Sequence, residues 1–208
     1  MRAMRNIVIL ISGRGSNMQA IVQIAQQQKW DCRIAAVISN RADAAGLVFA
    51  LAHQIPTAVV PSKNYSLRED FDFALQGVID QFCPDLVVLA GFMRILTTQF
   101  VEYYQGRILN IHPSLLPSFP GLSTHRQALA AGVKVHGATV HFVTPDLDHG
   151  PIVAQSVIPV LADDTEETLS ERVLQQEHVL YPQAVRWFID GRLRLVNGRV
   201  QLFDVTPP

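Results

Sequence analysis

The clearest indication of the fold class lies in the segment Asn6-Ile7-Val8-Ile9-Leu10-Ile11-Ser12-Gly13-Arg14-Gly15-Ser16-Asn17. Its uninterrupted apolar run predicts a buried strand, because a strand covered on both faces shows no alternation of polar and apolar residues. Gly13 to Ser16 predicts a tight turn, and Asn17 to Gln28 predicts a helix with a stripe of apolar residues. A strand, a turn and a helix in this order indicate an α/β fold.

The same alternation continues along the chain. Further strands are predicted at residues 33–39, 57–60, 85–90, 107–111, 136–143 and 152–159, and further helices at 44–53, 66–81, 97–104, 124–131 and 165–190. We therefore predict a mainly parallel, Rossmann-like sheet with helices on both faces. Alternating polar and apolar residues in 136–143 predict an antiparallel extension with 152–159, and Asn197-Gly198 predicts a C-terminal hairpin.

Length and composition favour a single domain over residues 1–208, since 49% of the residues are hydrophobic and only 17% are charged. A net charge of -1 argues against nucleic-acid binding through a broad basic surface. The apolar run after Asn6 is too short for a signal peptide or a membrane span, so we expect a cytoplasmic protein that is not attached to a membrane. The cysteines and histidines show no metal-ligand spacing, and no metal is expected.

The turn from Gly13 to Ser16 allows two interpretations. Backbone N–H groups at the start of the helix, together with the side chains of Ser16 and Asn17, would suit a phosphate. The loop lacks the third glycine of the dinucleotide fingerprint and the lysine of a P-loop, which favours a monophosphate over NAD or ATP. The alternative is a plain tight turn capped by Ser16 or Asn17, and the loop alone leaves both interpretations open.

A second candidate segment is Gly91-Phe92-Met93-Arg94-Ile95-Leu96, which follows a predicted strand at its carboxyl end. Open α/β sheets bind their ligands at this edge, and the apolar side chains could line a slot for a flat ring. Taken alone, these residues fit better with ordinary core for Phe92, Ile95 and Leu96 and a solvated Arg94.

The residues best suited to chemistry are Asn110 and His112 in Asn110-Ile111-His112-Pro113-Ser114-Leu115-Leu116-Pro117, and Asp148 in Asp148-His149-Gly150-Pro151. Asn110 and His112 are two positions apart, so their side chains face the same way at a strand end. An amide can stabilise an oxyanion, an imidazole can move a proton near neutral pH, and a carboxylate can orient the ring, which together suit acyl transfer. Alone, His112 would be a structural histidine and Asp148 a turn cap, but the combination favours catalysis.

Together these segments closely resemble the folate-dependent formyltransferases, and the resemblance spans nearly the whole chain. The loop Ser12-Gly13-Arg14-Gly15-Ser16-Asn17 resembles the phosphoribosylglycinamide formyltransferases of purine biosynthesis in particular. The resemblance implies transfer of a formyl group from 10-formyltetrahydrofolate, used as a co-substrate, to the amine of 5-phosphoribosylglycinamide. Both partners would be small molecules.

The resemblance also implies a role for individual residues. Asn110, His112 and Asp148 match the catalytic trio. The substrate phosphate would be bound by Gly15, Ser16 and Asn17, and the side of the substrate amine by Leu174, Gln175, Gln176 and Glu177. Without the resemblance, Glu177 would be read as a solvent-facing helix residue. The folate would be contacted by Arg68, Met93, Arg94, Ile95, Leu96, Asn110, Thr144, Pro145, Asp146, Leu147 and Asp148. Many relatives carry a histidine where this chain has Ser123, so the role of that histidine is not carried over.

The expected mechanism is direct attack of the amine on the formyl carbon, through a tetrahedral intermediate and without an acyl-enzyme. One alternative is a formyltetrahydrofolate hydrolase, which usually adds an N-terminal regulatory module that we do not expect here. A methionyl-tRNA formyltransferase would need an RNA-binding domain and a basic surface. A nucleotide-binding protein without activity is the alternative from a different class. The sequence leaves the choice between a monomer and a homodimer open.

Overall fold

The structure, a computed structural model, describes residues 4–204. The chain forms two compact units, the first ending at Leu109 and the second beginning at Asn110. The strands are β1 Arg5–Ile11, β2 Cys32–Ser39, β3 Thr57–Val59, β4 Leu86–Leu89, β5 Ile108–His112, β6 Val135–Phe142, β7 Ile152–Pro159, β8 Leu193–Val196 and β9 Arg199–Leu202. The α-helices are α1 Ser16–Gln27, α2 Ala45–Ala52, α3 Arg68–Asp80, α4 Thr98–Tyr103, α5 Thr124–Ala131 and α6 Glu166–Ile189.

Within residues 4–204, seven strands belong to a mainly parallel sheet, with the order β3-β2-β1-β4 in the first unit and β6-β7 in the second, while β5 contains the boundary between the units. β1 runs parallel to both β2 and β4. All residues from Ile7 to Ile11 are inaccessible to solvent. Because successive side chains of a strand point to opposite faces, this burial requires that both faces of β1 be covered. The predicted α/β fold is confirmed.

The second unit contains the predicted antiparallel pair of β6 and β7, in which Val135 lies opposite Pro159. Gly137 lies opposite Val157 in this ladder. A Cβ atom added at Gly137 would overlap the carbonyl oxygen of Ser156, so the two backbones approach closely only because this residue is glycine. Helix α6 packs against both strands.

Helix α6 begins at Glu166, directly after its cap residue Thr165. The Thr165 hydroxyl accepts a hydrogen bond from the backbone N–H of Thr168, and the Thr168 hydroxyl accepts one from the N–H of Thr165. This reciprocal capping box satisfies two N–H groups that the helix itself cannot pair. Glu166 and Glu167 in the first turn add negative charge at the positive end of the helix dipole.

The chain ends in the predicted hairpin, which forms a separate two-stranded sheet of β8 and β9. Asn197 and Gly198 both have positive φ, at 50° and 73°, as the tight hairpin turn requires. A short 3-10 helix at Ser62–Asn64 and the start of α3 at Arg68 instead of Ser66 differ from the prediction. None of the helices between residues 4 and 204 is both long and apolar enough to cross a membrane.

Candidate active site

The loop after β1 meets α1 at Gly15, which has a left-handed φ of 66°. An added Cβ would lie 3.1 Å from the Cε atom of Met18, so backbone conformation and space both favour glycine here. Ser16 is the first helical residue, and no side chain at the cap position accepts a hydrogen bond. The predicted cap at Ser16 or Asn17 is therefore wrong, because Gly15 occupies the cap position and both residues lie inside the first turn of α1.

The loop borders a cavity of about 580 Å³ in the first unit. Its wall combines the start of a helix with several hydroxyl groups and guanidinium groups, which are donors suited to an anion. Among the predicted site residues, Gly15, Ser16, Asn17, Met93 and Arg94 line the cavity, whereas Arg68, Ile95 and Leu96 are not part of its wall. Ser12, Gly13, Arg14 and Gly91, which belong to the two candidate segments, also line the cavity, whereas four further lining residues were not predicted from the sequence: Asn40, Arg41, Ser62 and Ala90.

The segment Gly91–Leu96 is attached to the end of β1 by Ser12. The Ser12 N–H donates to the Gly91 carbonyl at 3.2 Å, and the Ser12 hydroxyl accepts from the N–H of Met93 at 2.8 Å. Phe92 and Leu96 are buried, while the side chain of Met93 is exposed and Ile95 retains 53% of its accessible surface. The core interpretation therefore fits Phe92 and Leu96 and is wrong for Ile95.

In the second unit, the structure brings His112 and Asp148 together. The Nδ1 atom of His112 lies 3.5 Å from an Asp148 carboxylate oxygen, and both side chains are 7% exposed. The same carboxylate oxygen accepts the backbone N–H of Gly121 at 2.9 Å. His112 Nε2 lies 3.0 Å from the carbonyl oxygen of Phe119. A carbonyl can only accept, so His112 carries a hydrogen on Nε2.

Asn110 is oriented by His141, a residue whose part in the site the sequence reasoning missed. The Nδ2 atom of Asn110 lies 3.2 Å from His141 Nε2, and His141 Nδ1 lies 3.0 Å from the Phe142 carbonyl. The ring therefore donates through Nδ1 and accepts through Nε2, which is the neutral tautomer. Burial lowers the pKa of His141, in agreement with a neutral ring. One sequence feature could have indicated this role of His141, since the residue lies on the strand that leads to the Asp148 loop.

The segment that follows His112 is fixed by β6 and β7. The Thr139 hydroxyl accepts the N–H of Leu116 at 3.0 Å and donates to the Ser114 carbonyl at 2.7 Å. The side-chain amide of Gln155 donates to the Leu116 carbonyl at 2.9 Å. Because Thr139 and Ser114 are fully buried, these hydrogen bonds hold the backbone next to His112 in one conformation.

The remaining predicted residues of the second unit lie on α6 and on the loop before Asp148. The Ser156 hydroxyl donates to the Gln176 side chain at 2.9 Å, and Glu177 is only 7% exposed. The solvent-facing interpretation of Glu177 is therefore wrong. The Thr144 hydroxyl donates to the carbonyl of Asp146 within the loop at 3.2 Å. Across residues 4–204, no three His, Cys, Asp or Glu side chains are arranged to hold a metal ion.

Comparison with known proteins identifies the family. The sequence profile described as formyl transferase matches residues 5–185. The phosphoribosylglycinamide formyltransferase of Escherichia coli (strain K12) is 52% identical over 190 residues, which cover 91% of this chain and 90% of that protein. The chain belongs to the formyl transferase family. The resemblance to the formyltransferases that the sequence motifs indicated is thus confirmed. The more specific resemblance to the phosphoribosylglycinamide formyltransferases is confirmed as well.

Solved structures of related proteins share the fold of this chain. Glycinamide ribonucleotide transformylase 1 from Symbiobacterium toebii is 46% identical, with a TM-score of 0.94 over 98% of this chain and 96% of that one. A formyltetrahydrofolate deformylase from Pseudomonas syringae pv. tomato str. DC3000 is 30% identical, with a TM-score of 0.90 over 98% of this formyltransferase and 67% of that chain. The same fold therefore occurs in a protein named as a transformylase and in one named as a deformylase.

Proposed function

We propose that this formyltransferase transfers the formyl group of 10-formyltetrahydrofolate to the amine of 5-phosphoribosylglycinamide in de novo purine biosynthesis. The observation that supports this function most directly is the buried pair of His112 and Asp148, 3.5 Å apart, with Asn110 oriented by His141 in the same unit. The choice of substrate amine is supported by the 52% identity to the phosphoribosylglycinamide formyltransferase of Escherichia coli (strain K12), which covers about nine-tenths of both chains.

The proposed reaction is direct attack. The lone pair of the substrate amine forms a bond to the formyl carbon, and the formyl oxygen gains negative charge in a tetrahedral intermediate. Asn110 donates one Nδ2 hydrogen to His141 and keeps a second one, which would stabilise the oxyanion. The bond from the formyl carbon to the folate nitrogen then breaks, and that nitrogen takes up a proton.

His112 is the proposed proton carrier: the charged ring would first pass its Nε2 hydrogen to the folate nitrogen, and Nε2 would then accept the proton that the attacking nitrogen loses. Asp148, 3.5 Å from Nδ1, would hold the ring in its orientation and offset the positive charge that the ring carries during the transfer. His112 Nε2 must leave the Phe119 carbonyl before it can donate to a substrate oxygen or nitrogen, since one hydrogen cannot serve two acceptors well. No covalent acyl-enzyme is needed.

The binding roles follow the cavity and the buried polar groups. Gly15, Ser16 and Asn17 would bind the ribonucleotide phosphate, and Met93 and Arg94 line the same cavity. The proposed folate contacts also include Arg68, Ile95, Leu96, Asn110 and the loop Thr144, Pro145, Asp146, Leu147 and Asp148. On the side of the amine, Leu174, Gln175, Gln176 and Glu177 would contribute, with the buried Glu177 as a carboxylate acceptor.

We also propose that residues 1–208 function as one formyltransferase domain, because the family match at residues 5–185 runs through both compact units. The proposed partners are the two small substrates, and the proposal holds for a cytoplasmic monomer or homodimer alike.

A second candidate function is hydrolysis of 10-formyltetrahydrofolate, favoured by the TM-score of 0.90 to the Pseudomonas deformylase. The same trio would then activate water in place of an amine. One experiment separates the two functions. Purified protein is incubated with 10-formyltetrahydrofolate, with and without 5-phosphoribosylglycinamide, and the release of tetrahydrofolate is followed. Release that depends on the amine supports transfer, release without the amine supports hydrolysis, and no release under either condition contradicts both.

A further inference from the structure

Asp72 on α3 is a buried carboxylate to which the proposed reaction assigns no role. The residue is 2% exposed, and its Oδ2 atom accepts the backbone N–H of Thr97 at 2.6 Å. Thr97 follows directly after Leu96, the last residue of the proposed folate segment Met93–Leu96. The Thr97 hydroxyl in turn accepts the N–H of Phe100 at 3.3 Å and caps α4. Asp72 therefore holds the point where the folate segment ends and α4 begins.

The folate segment is attached by its backbone at both ends. The Ser12 hydroxyl accepts the N–H of Met93 at 2.8 Å, and Asp72 accepts the N–H of Thr97 at the other end. The side chains of Met93 and Ile95 between these two points are 66% and 53% exposed. Packing thus contributes little to the direction of these two side chains, and the two backbone anchors contribute correspondingly more.

Residues at the beginning of α3 also contact the folate segment or its neighbour Phe92. The Phe71 ring is stacked on the Phe92 ring at 6.5 Å, and the Arg94 guanidinium lies 5.4 Å from the centre of the Phe71 ring. Arg68, one helical turn before Asp72, and Arg94 both exert an electrostatic effect on the Asp72 carboxylate. Both arginines are proposed folate contacts. One helix turn therefore presents a ring to Arg94 and a carboxylate to the segment backbone.

We infer that Asp72 is a positioning residue for folate binding, which acts through the Thr97 N–H to fix the carboxyl end of Met93–Leu96. The inference rests on the proposed function, because it takes this segment to contact the folate. It assigns Asp72 no contact with the reacting atoms. The expected effect of losing Asp72 is therefore on folate affinity and not on turnover at saturating folate.

The test compares Asp72→Ala, which removes the acceptor, with Asp72→Asn, whose amide oxygen can still accept the Thr97 N–H. We expect Asp72→Ala to raise the KM and the equilibrium Kd for 10-formyltetrahydrofolate about tenfold, the size of a lost charge-assisted hydrogen bond. The KM for 5-phosphoribosylglycinamide and kcat should stay within about twofold. Asp72→Asn should restore most of the folate affinity. If Asp72→Ala does not fold, Asp72→Leu fills a similar volume without an acceptor.

Asp80→Ala is the matched control on the same helix. The Asp80 carboxylate accepts the Tyr104 hydroxyl at 2.7 Å and the Tyr103 hydroxyl at 2.9 Å, so it attaches α3 to the other end of α4. Its removal loosens the same two helices without touching the folate segment, and the folate KM should not change. An unchanged folate Kd in Asp72→Ala, an equal rise in Asp80→Ala, or no recovery in Asp72→Asn would overturn the inference. If the wild-type protein binds 10-formyltetrahydrofolate but does not transfer the formyl group, the proposed reaction is refuted. The inference on Asp72 is then still tested by comparing the folate Kd of the wild type with that of the variants.

Discussion

At the scale of single residues, the two ring nitrogens of His112 have different partners. Nε2 donates to the Phe119 carbonyl, while Nδ1 faces Asp148 at 3.5 Å. The side-chain amide of Asn110 likewise donates one of its hydrogens to His141. Each of the proposed catalytic side chains is thus held by a neighbour before substrate arrives, and such preorganisation is what makes a polar group effective against developing charge.

Replacing the side chain of either His112 or Asn110 should therefore remove most of the activity. We expect His112→Ala and Asn110→Ala each to lower kcat by roughly a hundredfold to a thousandfold, the usual effect of losing an oxyanion donor or proton carrier. Steady-state kinetics measures the effect, and circular dichroism checks that the fold is kept. His53→Ala is a suitable control, because His53 stacks on Phe49 in the first unit and has no proposed role. Turnover near the wild-type value in His112→Ala would remove the proposed proton carrier.

The phosphate loop allows a separate prediction. In the double variant Ser16→Ala, Asn17→Ala, the KM for 5-phosphoribosylglycinamide should rise about tenfold, with a smaller change for 10-formyltetrahydrofolate, since the lost hydrogen bonds would be to the phosphate. Initial rates with each substrate varied in turn provide both constants. Gln23→Ala, an exposed position on the same helix, should change neither. An effect on the folate constant alone would contradict the phosphate assignment.

The sequence predicted the trio because its chemistry is local: two residues at a spacing of two, and a carboxylate in a recognisable motif. It did not predict what lies between these groups. The hydrogen bond from Asn110 to His141 joins two strands, and the contacts of the Phe119 carbonyl and the Gly121 N–H are made by backbone. Backbone groups are the same in every residue, so the sequence cannot indicate which of them will reach a side chain.

Among the helices and strands, the periodicity of apolar residues was sufficient to predict the longer elements. The continuous apolar run of β1 and the alternation in β6 each predicted the element that forms. The predicted bounds of α5 and β7 match the structure. The start of α3 was predicted at Ser66, two residues too early, because the extended Leu67 occupies the cap position and the helix begins at Arg68. The three-residue helix at Ser62–Asn64 is too short to show periodicity.

Two glycine substitutions should change stability in opposite directions. Gly137→Ala places a Cβ atom on the Ser156 carbonyl oxygen and should lower the free energy of unfolding by about 3 kcal/mol or more, because β6 and β7 must separate. At Gly77 in α3 an added Cβ meets no atom within 4 Å, so Gly77→Ala should raise the free energy of unfolding by about 0.5–1 kcal/mol. Urea denaturation measures both. Equal stability of the two variants would contradict the close approach of β6 and β7.

At the scale of the whole molecule, several histidines are kept neutral by burial. The pKa of His136 is lowered to about 4, mainly by burial and then by the charges of His125 and His112. Burial lowers the pKa of His125, His141 and His178 as well. These histidines bind their protons more readily in the unfolded chain than in the folded one. The folded state therefore becomes less stable as the pH falls.

The sign and size of this effect can be checked with His136. Its contribution is fully present above the unfolded pKa of 6.5 and is lost as the pH falls towards about 4. Between pH 7 and pH 5 the free energy of unfolding should fall by about 2 kcal/mol from His136 alone. Denaturation at a series of pH values measures the slope. His136→Gln should show a shallower slope, and an identical slope in the variant would show that His136 is not buried in the neutral form.

The prediction of the overall architecture succeeded because the chain repeats one simple unit, strand followed by helix, whose packing rules are general. The division into a unit ending at Leu109 and one beginning at Asn110 was not predicted. It falls inside β5, where no glycine, proline or change of composition marks a boundary.

The short loop that carries Phe119 and Gly121 has a consequence for the resting protein. It offers a carbonyl oxygen to His112 and an N–H group to Asp148, the same two groups that a formamide would offer. The Nε2 hydrogen of His112 is thus shielded from bulk water. In nuclear magnetic resonance spectra it should appear as a slowly exchanging signal, and its loss when folate and amine are added would report the moment at which the loop releases the imidazole.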